Sequence, residues 1–137
     1  MIRSIIKDPV FLAKKAEDTV KTDLQIGNDL LETIMANKQN CAGMAANMIG
    51  FNKRIIGFVD ESGQIRIMYN PQILSKRGPY ETKERCLSLA GERTVKRFKM
   101  ISVKYLDEDY NVRVKTYLGW TAQIIQHEID HTNGILV

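Results

Sequence analysis

The sequence is short of cysteine, short of proline and free of long apolar runs, and each shortage removes a class of protein. Two cysteines, Cys41 and Cys86, cannot build a disulfide framework. In such a chain a thiol either packs in the interior or ligates a metal. Three prolines and nine glycines in 137 residues leave no room for a long disordered tail. No apolar stretch approaches the roughly 18 residues of a membrane-spanning helix. The opening segment MIRSIIKDPVFLAKK lacks the apolar centre of a secretion signal and soon turns basic. A cytoplasmic location without a membrane partner is therefore expected. Charge is not extreme either: the net charge is +4 and the isoelectric point about 9.1, with lysines and arginines scattered along the chain. That allows weak attraction to RNA or acidic surfaces but points to no specific nucleic-acid partner.

What is present is ordinary for a globular domain. Apolar residues are 44% and charged residues 26%, and nothing between residues 1 and 137 reads as a linker or repeat, so one domain is expected. Residues 11–16 suggest a short helical turn after Asp8-Pro9. Ile26, Leu30, Leu31, Ile34 and Met35 recur at helical spacing, which predicts a helix over 24–38 with Asp23 as its N-cap. Residues 54–59 and 65–69 read as strands joined by a turn at Asp60 to Gly63, with Asn70-Pro71 ending the second and a further short strand at 72–75. Residues 100–106 and 112–117 alternate as a hairpin, and a second helix runs from about Trp120 to Asn133 with Gly134 as its stop. Antiparallel strands between two helices predict an α+β fold.

The sharpest chemical signal lies on that second helix, where His127-Glu128-Ile129-Asp130-His131 forms an H-E-x-x-H pattern. Residues four apart on a helix lie about 40° apart around its axis, so both imidazoles can share one ion. A carboxylate at Glu128 is then placed to take a proton from water that the ion has acidified. The plainer reading is a pair of surface or packed histidines, but these are the only two in the chain and they flank a glutamate at the position the chemistry needs. A catalytic site needs a third protein ligand and an open position. The sequence runs six residues beyond His131 and none is a ligand type, so the third ligand is expected upstream. Both thiols qualify by softness, with Cys86 moderately preferred over Cys41.

Three segments in order carry a resemblance to the peptide deformylase family over nearly the whole chain. Gly43-Met44-Ala45-Ala46-Asn47-Met48-Ile49-Gly50 resembles the family's G-L-A-A-x-Q-x-G, Glu84-Arg85-Cys86-Leu87-Ser88 resembles E-G-C-L-S, and Gln126 to His131 with Gly134 resembles Q-H-E-x-D-H-x-x-G. The resemblance implies antiparallel sheets packed around the helix that carries the histidines. It implies that Cys86, His127 and His131 hold one divalent metal, ferrous iron in cells and zinc or nickel in purified samples. The implied reaction removes the N-formyl group from the initiator methionine of new polypeptides, with a formylated nascent N-terminus as partner and a transient ribosome contact. Glu128 would move the proton, and the Leu87 backbone N–H would stabilise the oxyanion. Ala42 and Gly43 would pair with the extended substrate, and the methionine side chain would sit near Trp120, Ile124 and His127.

Four residues depart from the family pattern. Met48 stands where the family has a glutamine whose amide donates to the oxyanion, and a thioether cannot donate. It also suits an interior gap. Arg85 replaces a glycine, and either points into solvent or reaches over the cleft to a substrate carbonyl or carboxylate. Cys41 replaces a glycine and Ala90 a proline. Asp130 is expected either to orient a ligand or to pair with Arg97. These departures sustain a second reading, a divergent relative with weak or altered activity on another N-acylated peptide or amide. A purely structural metal site is a third, disfavoured because it needs four ligands and has no use for Glu128.

Overall fold

Where the chain alternates it forms strands, and the strands turn out much longer than their local patterns suggest. The structure, a computed structural model, describes all residues from Met1 to Val137. A short helix α1 (Pro9–Leu12) and a 3-10 turn (Lys21–Asp23) precede helix α2 (Leu24–Ala36). Strand β1 (Gly43–Ala45), a 3-10 turn (Ala46–Ile49), and strands β2 (Ile55–Val59), β3 (Ile65–Cys86), β4 (Leu89–Leu106) and β5 (Val112–Leu118) follow, and helix α3 (Gly119–Thr132) closes the order. The strands make one antiparallel sheet in the order β1-β2-β3-β4-β5. The fold is α+β, as expected. No helix is long and apolar enough to cross a membrane.

Several expected boundaries move. The first helical turn lies at residues 9–12 rather than 11–16, because Asp8 caps it by accepting from the Val10 N–H at 2.9 Å and Pro9 supplies its fixed φ at the first position. Asp23 stands at the N-cap position of α2 as expected, but its side chain makes no capping hydrogen bond there. Its carboxylate accepts instead from the Val20 N–H at 2.9 Å, closing the 3-10 turn ahead of the helix. Residues 72–75 are no separate strand, since Asn70-Pro71 does not end β3. Asn70 takes φ 51° and the register with β4 shifts between Tyr69 and Gln72, so the break is a bulge within a continuous strand. Asparagine tolerates the left-handed region, and a bulge absorbs the extra residue.

Helix α3 is buried almost all round, with Ala122, Ile125 and His131 fully inaccessible, so it is the centre around which the sheet packs. One core joins α3 to the sheet through Ile56, Phe58, Ile101, Val103, Ile125 and Ile129. A second lies under α2 and the Ala46–Ile49 turn and includes Leu30, Ile34, Met44, Met48 and Ile55. The end of α3 is held by the pattern expected of Gly134. At φ 74° its N–H donates to the His131 carbonyl, and the Ile135 N–H donates to that of Asp130. A Cβ there would lie 2.4 Å from the Ala13 carbonyl oxygen. Gly134→Ala is therefore expected to destabilise the fold by roughly 1–3 kcal/mol, read as a lowered urea midpoint with unchanged slope.

Candidate metal centre

Helix α3 turns His127 and His131 to one side, with their Nε2 atoms 3.1 Å apart. The turn of the β3–β4 hairpin comes to meet them: Cys86 ends β3, Leu87-Ser88 form the turn and Leu89 opens β4. The Cys86 thiol and the two imidazoles place one donor atom each within 4.8 Å of one another. Ser88 donates its backbone N–H to Cys86 Sγ at 3.4 Å, which holds the sulfur toward the imidazoles. Burial lowers His131 to about 3, and the charge of His127 pushes the same way, so His131 offers a lone pair. Burial also opposes charge on His127, but hydrogen bonds to Cys86 and Glu84 outweigh it and raise that ring to about 10. The three donor atoms converge closely enough for one divalent cation to be held between them. One sulfur and two nitrogens suit iron, zinc or nickel.

Cys41, the rival thiol, is directed elsewhere. Its S–H donates to the Gly43 carbonyl at 2.7 Å, and burial, reinforced by the Glu128 charge, raises it to about 12. A thiol of that kind stays protonated well above neutral pH. In the folded protein Cys41 should therefore resist iodoacetamide at pH 8 and become modified only on denaturation, as peptide mass mapping would show.

Glu128 is 4% exposed, and its Oε1 has no hydrogen-bond partner. Burial pushes its carboxyl up to about 7 against the pull of the His127 charge. A buried carboxyl with an unpartnered oxygen beside a ligand cluster marks a candidate functional group.

Sequence reasoning missed Glu84, the hub of the polar network behind the ligands. His127 Nδ1 lies 2.7 Å from Glu84 Oε1, Arg97 donates to both Glu84 oxygens at 2.7 and 3.0 Å, and Gln123 Nε2 donates at 2.9 Å. Burial opposes its charge, yet these hydrogen bonds hold Glu84 down at about 2. The available signal was strand geometry: Glu84 lies two residues before Cys86 and so faces the same way. Arg97, 4% exposed, also pairs with Asp130 at 2.7 Å, the partner expected for it. A carboxylate on the far ring nitrogen fixes the tautomer and raises ligand basicity. Glu84→Gln should weaken metal affinity by roughly 10–100-fold, measured by competition with a chelator. Asn47 was missed as well. Its side-chain amide donates to the His131 carbonyl at 2.9 Å in the interior and ties the Ala46–Ile49 turn to α3.

A cavity of about 780 Å³ opens in front of the ligands. Ala42, Gly43 and Met48 form one side, Arg85, Cys86 and Leu87 the hairpin side, and Trp120, Ile124, His127 and Glu128 the helix side, whereas His131 lies behind. Gly43 is needed for close approach: a Cβ there would lie 2.7 Å from Ile124 and 3.2 Å from the Glu128 side chain. Met48 is 1% exposed, and its sulfur takes the Ala45 N–H at 3.5 Å, so it is a packed acceptor. Arg85 has no positive φ, and its guanidinium lies at the rim, 76% exposed and 3.8 Å from Glu92. That contact exists because the hairpin bulges, setting Ala90, Gly91 and Glu92 opposite Arg85 alone. The backbone at 85 thus has no need of glycine.

Comparison with known proteins agrees with this geometry. The profile of the family described as polypeptide deformylase matches residues 2–137. A peptide deformylase of Clostridium beijerinckii is 49% identical over 137 residues, covering 100% of both chains. Peptide deformylase 1 of Clostridium perfringens is 40% identical over 111 residues, covering 79% of this chain and 74% of its own. Among solved structures, the peptide deformylase of Thermus thermophilus superposes with a TM-score of 0.87 at 33% identity, over 99% of this chain and 83% of that one. A class I type b peptide deformylase of Acinetobacter baumannii with Met-Ala-Ser bound gives 0.87 at 27% identity, over 99% and 97%. With its three motifs folded into one centre and its full length matched, the chain belongs to the peptide deformylase family.

Proposed function

We propose that this chain removes the N-formyl group from the N-terminal methionine of newly made polypeptides, with Cys86, His127 and His131 as metal ligands and Glu128 as the proton carrier. The observation that carries this reading is the convergence of the three donor atoms beside a buried carboxyl with an unpartnered oxygen. A divalent ion held there, which we assign as ferrous iron in cells and zinc or nickel after purification, supplies a Lewis acid for the formyl oxygen and acidifies water. Glu128 takes a proton from the attacking water and delivers it to the departing amine as the C–N bond breaks, so formate and a free N-terminus leave. The backbone N–H of Leu87, in the hairpin turn, is our assignment for the oxyanion donor.

Strand β1 is the sheet edge, and its register decides what it can offer a peptide. The Val59 N–H donates to the Ala42 carbonyl at 2.8 Å, so the Ala42 carbonyl is engaged within the sheet. With Gly43 opposite Phe58, that bond turns the Gly43 backbone toward the open edge. Its carbonyl is covered only by the weakly donating Cys41 thiol. We therefore assign Gly43 as the backbone position that pairs with an extended substrate, by strand addition. Trp120 and Ile124 serve the methionine side chain. Arg85 is placed to meet a substrate carbonyl from the rim. A cytoplasmic location follows from that substrate.

The test is formate release from formyl-Met-Ala-Ser by anaerobically prepared, iron-loaded protein. Formate should appear in step with the new amine and stop when the metal is chelated. Met48 favours the second reading, action on another N-acylated amide; absence of formate release from fully loaded protein would decide for it.

A further inference from the structure

We propose that Gln123 makes one wall of the first-residue pocket a hydrogen-bond donor. The pocket then accepts an uncharged side chain ending in an oxygen acceptor, methionine sulfoxide above all, alongside methionine. The inference rests on the deformylase reading of the site. Positions 120, 123, 124 and 127 share one face of α3, and Trp120, Gln123, Ile124 and His127 all line the cavity. A pocket for methionine alone needs nothing polar on that face, yet a half-buried amide stands between the two apolar residues.

The orientation of that amide is set by its partners. The Tyr80 hydroxyl donates to Gln123 Oε1 at 3.2 Å, and Gln123 Nε2 donates to Glu84 Oε2 at 2.9 Å. Both Glu84 oxygens accept from Arg97, and Oε1 also lies against His127 Nδ1, so Oε2 meets Gln123 as an acceptor. Turning the amide over would set oxygen against oxygen. The nitrogen is therefore fixed toward Glu84 and uses one N–H there, while the second has no partner in the protein. An apolar side chain that covers this N–H leaves it dry, which is unfavourable, and a thioether relieves it only weakly. A sulfoxide oxygen is a strong acceptor at about the same distance along the side chain. Trp120 and Ile124 remain available to its methylene stem. A carboxylate at that place would face Glu84, so acidic first residues are excluded by like charge.

The test compares metal-loaded wild type with Gln123→Leu by two readouts. The first is the ratio of kcat/KM for formyl-Met(O)-Ala-Ser to that for formyl-Met-Ala-Ser. The second is the ratio of affinities for the product peptides Met(O)-Ala-Ser and Met-Ala-Ser by calorimetry, which needs no turnover. Wild type should take the sulfoxide within about threefold of the thioether, and Gln123→Leu should lower the sulfoxide-to-thioether ratio by about tenfold, the worth of one hydrogen bond. A wild-type preference for the thioether above roughly a hundredfold overturns the proposal and needs no variant. So does an unchanged ratio in Gln123→Leu, including the case where both peptides weaken together, because Gln123 would then act only through Glu84. Absence of turnover on either formyl peptide, with the expected product affinities, would count against the deformylase reading and leave this proposal standing.

Discussion

Glu128→Gln should lower kcat by roughly 10²–10⁴-fold while leaving metal content unchanged. The substitution keeps the shape of the side chain and removes only its capacity to carry a proton. Burial already disfavours the charged form of Glu128, whose carboxyl is pushed up to about 7. A neutral amide therefore relieves the interior of the metal-free protein, whose folded state should gain stability above pH 7 rather than lose it. The sign follows from linkage: a carboxyl whose folded pKa lies above its unfolded value makes the fold less stable as pH rises through that interval. A rate that collapses in a protein at least as stable as wild type assigns Glu128 to the chemistry. Equal loss of metal and rate would show instead that Glu128 holds the centre together. Glu128 is not among the converging donors, which argues against that outcome.

Met48→Gln should act in the opposite direction, raising kcat/KM on a formyl peptide by roughly 10²–10³-fold. Met48 lines the cavity but is 1% exposed, and its sulfur only accepts, from Ala45. Leu87 therefore stands alone as the assigned oxyanion donor. Glutamine is close to methionine in length and volume, and its amide oxygen can keep the Ala45 contact while its N–H turns to the cavity. The gain should appear in kcat with little change in KM, because a donor to the oxyanion acts mainly in the transition state. A rate that does not move would place the limit elsewhere, with Arg85 at the rim as the next residue to revert.

Both predictions depend on one fact that periodicity alone could reach and one that it could not. Helical spacing put His127 and His131 on one face with Glu128 beside them, and the structure keeps all three on α3. The choice between Cys86 and Cys41 was not local. It depends on a hairpin whose turn falls at Leu87-Ser88, after a strand that passes through Asn70-Pro71 by a bulge where turn chemistry suggested an end. Residues 89–99 form most of β4, yet they carry few alternating apolar positions, so the strand there owes its existence to pairing with β3. For the same reason Glu84 had a motif but no role until the strand set it against His127.

Beyond what the family resemblance implies for Met48, the sequence by itself determined the chemistry of the donors: an i, i+4 histidine pair, a glutamate between them and an available thiol. These are properties of residue type and local period, which survive without any knowledge of the fold. The tertiary structure alone decided which thiol faces the histidines, that Glu84 and Arg97 hold His127, that Gly43 is turned to the open edge, and that Gln123 stands in the pocket wall. Each of these depends on strand register and on the burial of α3. Register is set by packing across the whole sheet, and no window of sequence contains it.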